Sequence, residues 1–436
     1  MSKKRFSPVP SAEALSPYIV SQTGGKAAFP SRLLLRNALL GAVIAGLMTA
    51  SSSSAKDPVR TEVAAREVAA LLPITPPIRV GWGRSIATIA EAARIAGDGA
   101  LIEVDAGTYR GDVAVWTQRD LRIRAVGGRA RLVANGVSAE GKAIWVVRSE
   151  RMTIEGFDFE GAAVPDRNGA GVRFERGHLL VRDCTFRDNQ SGILAGNDSA
   201  ATLDVEDSEF VALHPEDGQN HHLYAGAIGR LSVSGSYFHR GAIGHLLKSR
   251  AALNVIRYNR LTDETGDASY ELEFPNGGLA FVIGNIIQQS ARTANPHLLA
   301  FGAEGYASAV NELYLVNNTL VDDMPGGGIF IRVRSGAGRV QAINNLWVGR
   351  GRVPTVQDGE FQNNFAVKRT SLDASPLGEY RLKPSSPAWG KAVAPGSARG
   401  QELAATREFR LPRGSVPLSS PATNPGALQT SAAAPT

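Results

Sequence analysis

The chain has 436 residues, 43% hydrophobic and 20% charged, a balance that supports a packed core and excludes wholesale disorder. Its one cysteine, Cys184, excludes an intramolecular disulfide framework, a cysteine-rich zinc site and a CxxC redox pair. The net charge of +6 is uneven: residues 1–55 hold Lys3, Lys4, Arg5, Lys26, Arg32 and Arg36 against Glu13, so the rest carries 41 of the 47 basic and 40 of the 41 acidic residues. A body so balanced gives no electrostatic case for nucleic acid or an anionic membrane as a partner.

Arg32 and Arg36 precede an apolar run, Ala38 to Ala50, followed by Ser51–Ser54 and Ala55. That run suits a signal-peptide core, because a bilayer span needs about 20 apolar residues. Residues 1–55 therefore read as a signal peptide or membrane-anchor leader. The expectation is export, to the periplasm or beyond, with the membrane met only through this leader. Residues 56–79 read as a linker, broken by Pro73, Pro76 and Pro77. Ser85 is the expected N-cap of an amphipathic helix that ends at Ala96 before Gly97. A strand is predicted over Ala100–Tyr109, with Gly107 in its closing turn.

From Leu121 the chain turns into short β-rich runs separated by Gly, Asn and Asp. The runs I-E-G-F-D-F, V-R-D-C-T-F, V-E-D-S-E-F, V-S-G-S-Y-F, I-R-Y-N-R-L, V-I-G-N-I-I, L-V-N-N-T-L and A-I-N-N-L-W repeat one phase. Their fourth residues are Phe157, Cys184, Ser208, Ser236, Asn259, Asn285, Asn318 and Asn345. A unit of this length, with short strands and no helix, predicts stacked coils of a parallel β-helix. The four asparagines in one phase predict a ladder of amides bonded from coil to coil.

The helix, the phrase I-E-V-D-A-G-T-Y-R-G-D, the ladder and the closing Y-R-L-K-P-S-S-P-A together resemble the pectate-lyase-like superfamily of right-handed parallel β-helices. The resemblance implies an all-β solenoid over residues 80–391 with an N-terminal capping helix. Residues 392–436, rich in Ser, Pro, Ala and Thr, read as a disordered tail. The superfamily holds lyases, hydrolases, epimerases and non-catalytic adhesion proteins, so it fixes fold ahead of function.

Five of the seven histidines, His214, His221, His222, His239 and His245, fall close together. Counting back fourteen residues from the ladder phase aligns His222, His245 and Glu271 on successive coils. The same register sends Leu223, Leu246 and Leu272 into the bore and returns Tyr224 and Glu273 to the histidine side. The expectation is one exposed face of His, Tyr and Glu, against the plainer reading of a solvated polar ladder. Lys248 and Arg250 lie at the end of the same strand. The segment G-H-L-L-K-S-R-A-A-L-N-V-I-R-Y-N-R-L is similar to the part of the alginate lyase and chondroitinase B family that bears the catalytic lysine, which implies Lys248 as base. That family's calcium ligands and partner arginine are replaced here by Ile243, Gly244, His245, Glu273 and Phe274. Asp267, Glu271 and Glu273 are oxygen donors of the kind calcium takes, though solvated turn acids are the simpler reading. Asp217, Asn220, His221 and His222 lack the spacing of a zinc motif.

The leading expectation is a polysaccharide lyase acting on an acidic, uronic-acid-containing glycan. Such a reaction needs a base, a neutraliser for the carboxylate and an acid for the leaving oxygen. Lys248 or His245 would be the base, Arg250 or calcium the neutraliser, and Tyr224 or His222 the acid. Asn220, His221, Glu271, Glu273 and Arg332 would bind substrate. A C5-epimerase would use nearly the same residues, a glycoside hydrolase the pair Glu271 and Glu273, and a glycan-binding module only the polar face. Oligomeric state is not legible in the sequence.

Overall fold

The computed structural model describes residues 76–213, 220–293, 295–373 and 380–429. The predicted leader and nearly all of the predicted linker lie outside them. Among the described residues the strands sort into a 21-stranded sheet, a nine-stranded sheet and two small antiparallel pairs. Every pairing in the two large sheets is parallel, and each coil pairs with the coil before and after it, as in Leu253–Arg257 with Arg230–Ser234 and Leu279–Ile283. This is a parallel β-solenoid. The 21-stranded sheet bears the asparagine ladder; the nine-stranded sheet, from Ala114–Trp116 to Ile329–Val333, forms another face.

The repeat phase explains the coil. The residue before each ladder position has a positive φ: Gly156, Asp183, Asp207, Gly235, Tyr258, Gly284, Asn317 and Asn344 lie between 46° and 83°. Glycine, Asn and Asp tolerate this left-handed corner best, which is why they recur there. The next residue then turns inward. Asn259 Nδ2 donates to Asn285 Oδ1 at 3.0 Å, Asn285 to Asn318 at 3.0 Å, and Asn318 to Asn345 at 3.0 Å. The ladder runs one step past the predicted phase, since Asn345 Nδ2 donates to Asn364 Oδ1 at 2.8 Å. Two residues beyond the repeat positions Phe157, Cys184, Ser208 and Ser236 an aromatic stack fills the bore, and beyond Asn259, Asn285 and Asn318 the same place holds Leu261, Ile287 and Leu320. Phe159, Phe186, Phe210 and Phe238 follow one another at 5.0, 4.8 and 4.4 Å, each pair contributing about 0.5–1.5 kcal/mol beyond its buried area.

Two expectations need correction. The helix spans Ile89–Ile95, and its N-cap is Thr88, whose side chain accepts from Glu91 N, not Ser85. Asp112 takes the two N–H groups of Ile89 and Ala90, so the first turn is satisfied from across the chain. The segment read as a disordered tail is ordered through residue 429. Leu403 and Ala405 pack with Phe281 and Tyr314 on the outer face of the ladder sheet, and Leu428 packs with Leu346 and Leu382. Composition misled here because the segment's few apolar residues are spaced to land on that face.

Candidate active site

The nine-stranded sheet presents two outward columns. Register pairs His221 with His245 and Tyr270, then His297 with Ile329, along one column. The other runs Tyr224, Lys248, Glu273, Ala300, Arg332. Parallel pairing brings neighbours in each column to about 5 Å. The first column is aromatic: His221 meets His245 edge-on at 4.6 Å, and His245 stacks on Tyr270 at 5.0 Å. The second is ionic.

Lys248 Nζ lies 3.1 Å from Glu273 Oε2 and 3.0 Å from Glu304 Oε1. Arg250 Nη2 lies 2.7 Å from Glu304 Oε2, and its Nη1 donates to Asn276 Oδ1. Its Nε donates to Tyr224 Oη at 2.9 Å, leaving the phenol's own hydrogen free. His245 Nε2 lies 2.9 Å from Glu273 Oε2. His221 Nδ1 accepts the backbone N–H of His245 at 3.0 Å, so a neutral His221 carries its proton on Nε2. His221, Tyr224, His245, Lys248 and Arg250 line a cleft of about 350 Å³ with Ser191 and Leu194.

The electrostatics follow from burial and neighbours. Burial, and then the charges of His245, Lys248 and Arg250, hold His221 well below the usual imidazole range. Burial also lowers His245, with the Glu273 carboxylate opposing it. Burial pushes Glu273 up, but His245 and Lys248 outweigh that and leave it below the carboxylate range. Glu304 is likewise raised by burial and lowered further by Lys248 and Arg250. The cleft thus combines a neutral imidazole, a phenol and two cations.

The structure brings together Tyr224, His245, Lys248 and Arg250, with His221 and Glu273 beside them. Arg332 sits at the far end of the ionic column, its Nη1 3.3 Å from Tyr270 Oη. Asn220 is buried, with Nδ2 unpartnered, next to the cleft residue His221. His222 is corrected: it turns inward, fully buried against Phe210 and Phe238, and donates Nε2–H to the His239 carbonyl at 3.1 Å. Burial lowers its pKa to about 3. Glu271 is corrected too, being fully buried with both carboxylate oxygens unpartnered. Burial, then Asp263, pushes it well above the usual range. Leu223, Leu247 and Leu272 pair in one bore column, and Leu246 is buried in the same core beside them.

The physical reason is that the offset from the ladder is not constant. His221 precedes Ser236 by 15 residues, His245 precedes Asn259 by 14, and Tyr270 precedes Asn285 by 15. A one-residue slip moves a side chain to the opposite face. Glu271, Glu273 and Asp267 therefore do not fit a shared calcium cage. Glu271 is interior, Glu273 belongs to the ionic column, and Asp267 Oδ1 accepts from Ile243 N at 3.1 Å. Among the described residues no three His, Cys, Asp or Glu side chains are grouped to hold a metal ion. The inward turn of Glu271 also parts the carboxylate pair a hydrolase would need. His214 and Asp217 lie outside the described residues. Sequence reasoning missed Tyr270, Asn276 and Glu304. Tyr270 was available from the spacing of His221 and His245, whereas Glu304 reaches Lys248 from a loop that no periodicity marks.

Among solved structures, the crystal structure of pectate lyase Pel9A is similar to this chain, with a TM-score of 0.54 and 13% identity over 77% of this chain and 97% of that one. At that identity the likeness shows the fold, a pectate-lyase-like parallel β-helix. No family model matches the sequence, and no curated protein matches it.

Proposed function

We propose that this chain is an exported polysaccharide lyase that cleaves a uronic-acid-containing glycan by β-elimination. The observation that carries the reading is the Tyr224–Arg250 contact of 2.9 Å in a cleft that also presents Lys248 and His221. A guanidinium held against the phenol oxygen supplies the charge that a phenolate formed during turnover needs. In this scheme the Tyr224 hydroxyl gives up its own hydrogen to solvent as substrate binds. The phenolate takes the proton from carbon 5, the carbon 4–oxygen bond breaks, and the phenol returns that proton to the leaving oxygen, which regenerates the phenolate. Carbon 4 and carbon 5 are left doubly bonded. His221 Nε2–H and the cations of Lys248 and Arg250 stabilise the substrate carboxylate as charge builds on it. Glu273 and Glu304 orient those cations. The fold's likeness to a pectate lyase agrees with this chemistry and adds no residue to it.

The test is ultraviolet absorbance of the unsaturated uronyl product across a panel of polyuronates. Absorbance that grows with time supports the lyase. New reducing ends without it would point to a hydrolase, and binding with neither would point to a glycan-binding module.

A further inference from the structure

The C-terminal segment crosses the outer face of the ladder sheet and leaves a groove of about 520 Å³ there. Four arginines line it, Arg230, Arg257, Arg399 and Arg407, and no carboxylate does. Arg230 is held by Asp204 at 2.8 Å and Arg399 by Glu312 at 2.5 Å. Arg407 hydrogen-bonds the hydroxyl and carbonyl of Ser415 at 2.8 and 2.6 Å, with the Asp207 carboxylate near but not in direct contact. Nε and Nη2 of Arg257 are buried with no partner at all. Arg257 as a whole is half-buried, but buried guanidinium nitrogens without an acceptor are costly in a folded protein, and an incoming anion relieves that. Half-buried Leu253 and Val255 lie on the groove floor between the charges.

We propose that this groove is a second, non-catalytic site for an acidic polysaccharide, in which carboxylates meet Arg257 and Arg407 while sugar C–H faces rest on Leu253 and Val255. Guanidinium suits a carboxylate because its N–H fork matches both oxygens. The apolar floor favours a sugar-borne carboxylate over a bare ion. The groove belongs to the ladder sheet and the catalytic cleft to the nine-stranded sheet, so the two do not share a wall. The inference takes its polymer class from the lyase reading, but its residues are independent of that site.

Calorimetric titration of the full-length protein with oligogalacturonate and oligoguluronate, beside carboxyl-reduced controls, tests it. The wild type is expected to bind about two oligomers per chain, and Arg257→Met to weaken one of the two events by about 10-fold or more, equivalent to 1.4 kcal/mol. Turnover of short oligomers should be unchanged in that variant, and its ligand-free melting temperature no lower than that of the wild type. Arg257→Met binding both oligomers as the wild type does would overturn the site. Inorganic sulfate raising the melting temperature as much as the oligomer does would also overturn it, assigning the groove to a free anion. Two binding events without unsaturated product would strike the lyase reading and leave this site standing.

Discussion

Tyr224 is the residue on which the chemistry turns, because it alone in the cleft combines a free hydroxyl hydrogen with a guanidinium on its oxygen. Tyr224→Phe keeps the ring and its packing, so its melting temperature should match the wild type while turnover falls about 10²–10⁴-fold. A loss confined to Lys248→Ala would move the base to the lysine. Glu271 carries a different prediction, about stability. Its folded pKa lies well above the usual 4.5 because it is buried and faces Asp263. Its neutral form therefore favours folding below about pH 4.5, and that contribution is lost as pH rises through the folded value. Glu271→Gln removes the titration, so its stability should match the wild type near pH 4 and exceed it near pH 8. Urea midpoints at the two pH values measure the difference.

At the scale of a coil, the asparagine ladder is the most costly element to interrupt. Asn285 accepts from the backbone and side chain of Asn259 and donates to Ile256 O and Asn318 Oδ1. Asn285→Ala strands several of these buried partners, at about 1–3 kcal/mol each. Chemical denaturation should show a loss of about 3 kcal/mol or more. This element was legible in the sequence because its phase is set by two residues, a left-handed corner and an inward amide, that few residue types can fill. Even the exception is informative: Tyr258 holds φ of 58°, and its hydroxyl accepts from Thr406 N at 3.1 Å. The facing of the site strands was less legible. The turn between the two sheets varies by one residue, and nothing in composition marks which coil is shorter. That single residue exchanged His221 for His222 and Tyr270 for Glu271 as outward groups. The strand ends were insensitive to the slip, so Tyr224, Lys248 and Arg250 were placed together from sequence.

For the whole molecule, the C-terminal segment is part of the folded body. Ending the chain after Lys391 would uncover Phe281, Ile283, Tyr314 and Val316, which Leu403 and Ala405 now cover. Restoring the burial of Leu403 and Leu428 alone is worth about 3–6 kcal/mol. The shortened protein should melt earlier and bind a hydrophobic dye that the full chain does not. Retention of the full melting temperature would show that the solenoid does not depend on the segment. The same segment reaches far back along the sequence. Arg413 donates to Thr185 Oγ1 at 2.9 Å and pairs with Asp183 at 2.7 Å, and the backbone N–H of Gly414 donates to Gly235 O at 2.7 Å. Neighbouring coils are held by contacts local in sequence, whereas this clasp joins residues 228 apart. Separating the coils that carry Asp183 and Gly235 therefore also means breaking the hold of a segment that lies far from both in sequence.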